Sequence, residues 1–390
     1  MFSRSLFSSD HELFRKTVKR FVEREVLPHH AQWEEAGMVP REAWRKAGEA
    51  GLLCCNIPEE YGGMGGDFLH SAIVLEELAS GGASGPAFSL HSDIVAPYIL
   101  HYGTEEQKRR WLPPMATGDV LAAVAMTEPS GGSDLQAIKT TAIRDGDDYV
   151  LNGQKVFITN AQGADVIVVA AKTDPRARGR GISLILVETD RPGFRRGKPL
   201  HKIGCKALDT SELFFSDLRV PATNLLGEEG RGFAQLMTEL AQERLVQAVR
   251  SIAAAEAALR WTVDYTTSRQ AFGGTVADFQ NTQFKLAEMK AEITVLRVFV
   301  DRCLELHLAG ELGSVDAAIA KMQTTELQGK VVDTCLQLHG GWGYMWEYPI
   351  ARAFADARMA RIAGGSIEVM KQIIARDMLP KQARPAVASA

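Results

Sequence analysis

Tyr149-Val-Leu-Asn-Gly-Gln-Lys-Val-Phe-Ile158 is the stretch that decides the fold, because it introduces a β-strand pattern into a chain with mostly helical periodicity. Its strand-like segments 149–151 and 154–158 flank Asn152-Gly153, a dipeptide that favours a two-residue hairpin turn. The period-two pattern runs from about residue 121 to 227 and predicts a compact antiparallel β domain, either a small barrel or a sandwich. Its further predicted strands are 165–171, 182–187 and 212–215.

Helical periodicity precedes and follows this β region. In the first ~120 residues, apolar side chains recur at spacings of three and four. After about residue 233, alanine- and leucine-rich segments are broken near Gly273, Gly310 and Gly340, which predicts three or four long helices in a bundle. The predicted fold class is therefore multidomain α+β, with an N-terminal α-helical domain (1–120), a middle antiparallel β-barrel or sandwich domain (121–232) and a C-terminal four-helix bundle domain (233–390).

The bulk composition narrows the class of protein. The 390 residues exceed what one hydrophobic core usually serves, and the net charge of −4 gives no electrostatic footprint for nucleic acid. The chain lacks an apolar run near the ~20 residues of a membrane span, and its first residues do not resemble a secretory signal. Five cysteines without metal-ligand spacing predict reduced thiols and no metal centre. We therefore expect a cytoplasmic protein, or one of the mitochondrial matrix if the chain is a processed eukaryotic one.

Two long motifs, about two hundred residues apart, carry a resemblance to a known family. Ala125-Met-Thr-Glu-Pro-Ser-Gly-Gly-Ser-Asp-Leu-Gln-Ala137 resembles the first signature of the acyl-CoA dehydrogenases. Gln337-Leu-His-Gly-Gly-Trp-Gly-Tyr-Met-Trp-Glu347, followed by Arg352 and Asp356, is similar to the second signature. The resemblance implies FAD-dependent α,β-dehydrogenation of an acyl-CoA thioester to the trans-2-enoyl-CoA, with electron-transferring flavoprotein as the electron acceptor.

The reaction that this resemblance implies needs a carboxylate against the α-carbon, and Glu243 is the predicted base. Leu236, Leu240 and Glu243 share a helix face whose beginning is apolar. Burial on that face would raise the pKa of a carboxyl group towards working pH, as a general base requires. The alternative is an exposed Glu243 paired with Arg244 or Gln247.

The resemblance favours the catalytic interpretation of Glu243. Many family members carry the base near the C-terminus, where this chain has Gly364. The long-chain and isovaleryl branches instead carry the base on the bundle helix, in a Glu-Arg-Leu context like the one at Glu243. By resemblance, the Gly364 backbone N–H would still stabilise the thioester oxygen. The alternative for Gly364 is a simple turn.

The resemblance also implies the remaining site residues. The flavin and pyrophosphate would contact Met126, Thr127, Ser133, Phe157 and Thr159, with Ser366 and Glu368 nearby. The ADP half of an FAD bound mainly to a neighbouring subunit would lie against Arg269, Phe272, Gln280, Gln337 and Gly341. Such sharing implies at least a dimer, and the family expectation is a homotetramer built as a dimer of dimers.

The substrate is expected to contact Ser133, Leu240, Arg244 and Ala363. Ala363 stands where members with the common base usually have Tyr, which suggests room for branched or bulky acyl groups. Trp342 or Tyr344 could instead fill that space. Two other functions remain open: an acyl-CoA oxidase or flavin monooxygenase on the same scaffold, and a non-catalytic binding protein that keeps the fold.

Overall fold

A computed structural model describes residues 4–379 of the protein. The predicted order of a helical, a β and a second helical unit is confirmed. The boundaries near residues 120 and 232 stay predictions, and the outer ends of the first and third units (1–3 and 380–390) lie outside the described residues. The first unit contains α1 (Ser9–Phe21), α2 (His30–Ala36), α3 (Arg41–Glu49), α4 (Phe68–Ser80), α5 (Ala96–Tyr102) and α6 (Glu105–Ala116), with π-helical turns at Val22–Val26 and Leu90–Val95.

Reciprocal caps start α1 and α4 and join them. The Ser8 N–H donates to His11 Nδ1 over 3.1 Å, and the Asp67 N–H donates to His70 Nδ1 over 3.2 Å. His11 Nε2 lies 3.1 Å from Asp67 Oδ1. Atoms of His11, Asp67 and His70 that could ligate a metal lie within 4.8 Å of one another. Because both Nδ1 lone pairs accept backbone N–H groups, this cluster serves the two helix starts.

The middle unit is an eight-stranded sheet. Its strands are β1 (Ala122–Ala125), β2 (Thr141–Asp145), β3 (Asp148–Thr159), β4 (Val166–Lys172), β5 (Ile182–Glu188), β6 (Phe194–Pro199), β7 (Thr210–Pro221) and β8 (Leu225–Leu226). Its order is β6-β7-β3-β2-β4-β5-β8, and β1 pairs with β4. The pairs β1–β4 and β2–β4 are parallel and the others are antiparallel, so the sheet is mixed where the sequence predicts a purely antiparallel one.

Alternate residues of β4 pack on opposite faces of this sheet. Val166 and Val168 lie in a core shared with the N-terminal helices, whereas Ile167 and Val169 pack against β3 and β7. Both faces of β4 are therefore covered, which explains its continuous apolar sequence. The result is a sandwich-like β unit attached firmly to the first helical unit.

Asn152-Gly153 lies inside β3, so the predicted hairpin turn at this dipeptide is wrong. β3 pairs with β7 on both sides of it, with a register shift between Leu151 and Gly153. The Asn152 side chain exchanges hydrogen bonds with Asp217 on β7. A Cβ at Gly153 would lie only 2.5 Å from Thr140 Oγ1, so the glycine is needed for close approach of the chains. The turn that joins β2 to β3 is 145–148, around Gly146 with φ 61°.

The last unit is a helical bundle. It contains α7 (Gly232–Ser268), α8 (Gln280–Leu308), α9 (Ser314–His339), α10 (Pro349–Ala360) and α11 (Ile367–Met378), with a short ribbon of β9 (Gln270–Ala271) and β10 (Gly274–Thr275) after α7. The helix ends confirm the breaks predicted near the three glycines. Phe68 and Leu75 of α4 share the core formed by α7, α8 and α9, so the two helical units are packed together. Within residues 4–379, no helix is both long and apolar enough to cross a membrane.

Candidate active site

Glu243 lies in the first half of α7 and is 7% exposed, which excludes the alternative of an exposed carboxylate. Its Oε1 accepts a hydrogen bond of 2.8 Å from the hydroxyl of Tyr98, a fully buried residue of α5. Burial raises the pKa of Glu243 to about 7, with Glu239 adding to the shift while Tyr98 and Arg244 oppose it. A carboxyl group with this pKa is divided between its acid and base forms near neutral pH, as a general base requires.

The Gly364–Gly365 turn faces the same side of α7. Both glycines have left-handed backbone angles, with φ of 66° and 91°. A Cβ at Gly364 would lie 3.6 Å from Cγ of Gln247, the residue one helical turn after Glu243. The Gly365 carbonyl accepts a 2.6 Å hydrogen bond from Nζ of Lys321, a fully buried residue of α9. The turn is thus held in place beside the face of α7 that carries Glu243.

Two buried polar atoms next to Glu243 have no hydrogen-bond partner within the described residues. They are Arg244 Nε and Gln247 Oε1. Burial lowers the pKa of Arg244, and the charge of Glu243 partly compensates. Buried polar groups are normally paired, so these two atoms are available to a polar ligand that enters the site.

The loop after β1 is anchored by a buried ion pair. Lys155 Nζ donates to Glu128 Oε1 and to the Met126 carbonyl, each over 2.9 Å. The Thr127 carbonyl accepts from the Val156 N–H over 3.0 Å. Burial lowers the pKa of Lys155 to about 8, against the opposing effect of Glu128. Met126 and Thr127 are therefore held against β3, directly beside Phe157.

Phe157 has an unusual backbone for a phenylalanine inside a strand. Its φ is 61°, and the β3–β7 register shifts between Lys155 and Ile158. The side chain is 66% exposed, so packing within the single chain does not explain a conformation that costs about 1–3 kcal/mol. This irregularity turns an aromatic ring outwards next to Thr127 and the half-buried Thr159.

A cleft of about 530 Å³ lies in the helical bundle, between the C-terminal ends of α7 and α9. Three predicted cofactor residues, Arg269, Gln337 and Gly341, line it together with Trp342 and Tyr265. Phe272, in the α7–α8 connection, and Gln280, the first residue of α8, are exposed and do not line the cleft. The cleft offers a guanidinium, an amide and aromatic surface to one ligand.

Three family models match consecutive parts of the chain. The acyl-CoA dehydrogenase N-terminal, middle and C-terminal domains match residues 8–119, 123–218 and 230–379. The chain belongs to the acyl-CoA dehydrogenase family. The mitochondrial long-chain specific acyl-CoA dehydrogenase of Sus scrofa is 54% identical to this dehydrogenase, over 96% of this chain and 88% of that one. This protein is therefore an oxidoreductase that acts on acyl-CoA.

Solved structures agree with this dehydrogenase over most of its length. The crystal structure of an acyl-CoA dehydrogenase from Geobacillus kaustophilus has a TM-score of 0.94 and 51% identity, covering 96% of this chain and 99% of that one. An acyl-CoA dehydrogenase from Bacillus anthracis, complexed with FAD, has a TM-score of 0.91 and 34% identity, covering 97% and 68%.

The remaining predicted site residues of the dehydrogenase lie around these features. Ser366 is the N-cap of α11, where its hydroxyl accepts from the Val369 N–H, and Glu368 is exposed in the first turn. Ser133 is exposed and follows Gly132, which lies close to Thr127. Leu240 and Ala363 are half-buried.

Sequence reasoning missed the side chains that hold the predicted site in this dehydrogenase. Tyr98 holds Glu243, Lys155 and Glu128 hold the loop at Met126, and Lys321 holds Gly365. Only the contact between Tyr98 and Glu243 has a signal in the sequence. Tyr98 and Tyr102 are four residues apart, and so are Glu239 and Glu243, which is the spacing of two side-chain pairs between two helices. Nothing in the local sequence around Lys155 or Lys321 distinguishes them from exposed lysines.

Proposed function

We propose that this protein catalyses FAD-dependent α,β-dehydrogenation of an acyl-CoA thioester, with Glu243 abstracting the α-proton. The observation that carries the proposal is the buried carboxyl group of Glu243, with a pKa of about 7, on the α7 face beside the Gly364 turn. A buried ionisable group without a salt bridge is costly, and a base poised near neutral pH gives it a purpose.

Several groups of the chain would have separate roles in this reaction. Oε1 of Glu243 accepts the Tyr98 hydrogen bond, so Oε2 is the oxygen left to take the α-proton. The Gly364 N–H would donate to the thioester oxygen, where negative charge develops as the proton leaves. Bound FAD supplies the acceptor for the β-hydrogen, which leaves as hydride. Arg244 Nε would donate a hydrogen bond to the bound acyl-CoA, and Gln247 Oε1 would accept one from an amide N–H of its pantetheine arm.

The residues present fit FAD at two separate places. Phe157 offers an exposed aromatic ring beside the loop of Met126 and Thr127, which Lys155 holds in place, and such a surface suits a flat flavin. The Arg269 cleft offers paired guanidinium donors that suit a pyrophosphate. Such a cleft at the bundle end agrees with a cofactor shared between subunits. Exposed apolar residues there and along α8 support the proposed homotetramer; they are Phe272, Phe279, Phe284, Val295 and Val298.

The acyl group, electron acceptor and compartment are part of the same proposal. The Sus scrofa relative is named long-chain specific, and we propose long-chain acyl-CoA as the substrate class of this protein. The small Ala363 side chain would admit branched or bulky acyl groups as well. Electron-transferring flavoprotein is the proposed acceptor. All five cysteines are free and buried, which agrees with a reducing compartment, the cytoplasm or the mitochondrial matrix.

Replacement of the base tests the proposal. Under anaerobic conditions, palmitoyl-CoA should bleach the bound flavin of the wild-type protein, and Glu243→Gln should slow bleaching by ~10²–10⁴-fold while keeping the yellow colour. Glu105→Gln is the matched control, because Glu105 also accepts from a tyrosine, Tyr61, but is exposed. Bleaching at the wild-type rate in Glu243→Gln would refute the base. Hydrogen peroxide formed in step with thioester oxidation in air would indicate the oxidase alternative.

A further inference from the structure

Two tyrosine–glutamate pairs lie one helical turn apart where α5 crosses α7. The Tyr98 hydroxyl donates to Glu243 Oε1 and the Tyr102 hydroxyl donates to Glu239 Oε1, each over 2.8 Å. Both tyrosines and both glutamates are four residues apart, and the pairing is antiparallel. Each pair therefore occupies an equivalent position on the two helices.

The two pairs differ in their surroundings. Tyr98 is fully buried, whereas Tyr102 is half-buried at the end of α5. Glu239 has a second partner, Nδ1 of His101 at 3.0 Å, and that imidazole is 47% exposed. Glu243 has only the Tyr98 hydroxyl among hydrogen-bond donors of the described residues. The Tyr98–Glu243 pair is thus isolated from water, and the Tyr102–Glu239 pair lies between it and the surface.

We propose that Tyr98 is a positioning residue that orients the Glu243 carboxylate, and that Glu239 raises the pH at which this carboxylate becomes ionised. The inference rests on the proposed role of Glu243 as the base and names the residues that make the role possible. The packing of α5 on α7 brings Tyr98 to Glu243, and the four-residue spacing along α7 places Glu239 one turn before it.

The orienting role follows from the number of hydrogen bonds. A glutamate side chain has three rotatable bonds, and a single short hydrogen bond to a fully buried, rigid tyrosine ring restricts the carboxylate to one orientation. With Oε1 engaged, Oε2 keeps one direction relative to α7. Without the tyrosine hydroxyl, the carboxylate would sample several rotamers and the α-proton would meet the base less often.

The effects of the two residues on ionisation have opposite signs. The Tyr98 hydrogen bond favours the ionised carboxylate and so lowers the pKa of Glu243, whereas the negative charge of Glu239 raises it. Other charged or titratable groups face this pair from each neighbouring element. They are Arg244 on α7, Lys321 on α9 near Arg244, His307 on α8 near Glu239, His101 and Tyr102 on α5, and Asp93 of the π-helical turn, whose carbonyl accepts from Gln242.

The test is the pH dependence of kcat/KM in three variants of the FAD-loaded protein, measured with palmitoyl-CoA from about pH 5.5 to about pH 9. Tyr98→Phe should move the acidic limb of the profile upwards by about one pH unit or more, because a hydrogen bond to a charged group is lost. At the alkaline end, where the base is ionised in every variant, kcat should still be about tenfold lower, since orientation is lost. Glu239→Gln should move the limb downwards by about half a unit or more.

Tyr102→Phe is the matched control, because it removes the same hydroxyl one helical turn away from Glu243. Its acidic limb should stay within about 0.3 unit of wild type, since the lost bond belongs to Glu239. If Tyr98→Phe has a wild-type profile and kcat while Glu243→Gln is inactive, the positioning role is overturned and the base stands. An unmoved limb in Glu239→Gln overturns the tuning role. Wild-type activity in Glu243→Gln overturns the base and this inference together.

Discussion

Replacing Glu243 by glutamine should make the protein more stable at alkaline pH while it slows turnover by ~10²–10⁴-fold. The glutamine keeps the shape of the side chain and can still accept the Tyr98 hydrogen bond, but it has no charge to bury. Residues selected for chemistry commonly reduce stability, so activity and stability should change in opposite directions at this position.

The magnitude follows from the difference between the folded and unfolded pKa of Glu243. In the unfolded chain the group has its ordinary value of 4.5, and in the folded protein burial raises the pKa to about 7. Between these values the folded protein holds a proton that the unfolded chain has lost, so the free energy of unfolding falls as pH rises. At about 1.4 kcal/mol for each pH unit, the wild-type protein loses about 1 kcal/mol by pH 5.5 and about 3 kcal/mol by pH 8.

The glutamine variant has no carboxyl group to ionise at this position. Its free energy of unfolding should therefore exceed that of the wild-type protein by about 3 kcal/mol at pH 8 and by about 1 kcal/mol at pH 5.5. Thermal unfolding of FAD-loaded wild-type and Glu243→Gln protein, followed by far-ultraviolet circular dichroism at both pH values, measures the change. Glu105→Gln is the control and should gain nothing at pH 8, because Glu105 is exposed. An equal change of Tm in Glu243→Gln at both pH values would show that burial does not raise the pKa of this carboxyl group.

Two further substitutions test the cofactor cleft and the acyl pocket. Arg269→Ala should weaken FAD retention about tenfold or more in equilibrium dialysis and favour smaller assemblies on gel filtration. Arg302→Ala is the control, because Arg302 is an exposed arginine on α8, and it should have neither effect. Equal FAD retention in both variants would show that Arg269 does not bind the cofactor. Ala363→Tyr should lower kcat/KM for branched acyl-CoA relative to straight chains by ~10–200-fold across a panel from butyryl to palmitoyl thioesters, and an unchanged ratio would refute the pocket hypothesis.

Much of the candidate site follows from short stretches of sequence. Glu243 could be identified because its helix face begins with Leu236 and Leu240, and a carboxylate on an apolar face needs an explanation. The Gly364 turn and the Met126–Thr127 loop could be placed because they lie in motifs with a family resemblance. The structure brings the Gly364 turn to the α7 face, and it brings the Met126–Thr127 loop to Phe157.

Trp342 and Tyr344 show where an alternative from the sequence loses support. Trp342 stacks on Tyr348 at 5.2 Å between ring centroids and lines the Arg269 cleft, and Tyr344 is 81% exposed. Their contacts within the chain therefore give no support to the idea that they fill the space beside Ala363. Aromatic side chains reach far, so the position of their backbone in the sequence does not determine which cavity they line.

The sequence by itself determined the order of helical and β units, the family and the candidate base, because periodicity and motifs are properties of neighbouring residues. Only the tertiary structure decided that Asn152-Gly153 continues a strand, since the approach of Thr140 and the pairing with Asp217 outweigh a local turn preference. The tertiary structure also decided which side chains contact the site residues. Tyr98 meets Glu243 across 145 residues of chain, and such a contact depends on how two helices pack, which no short stretch of sequence encodes.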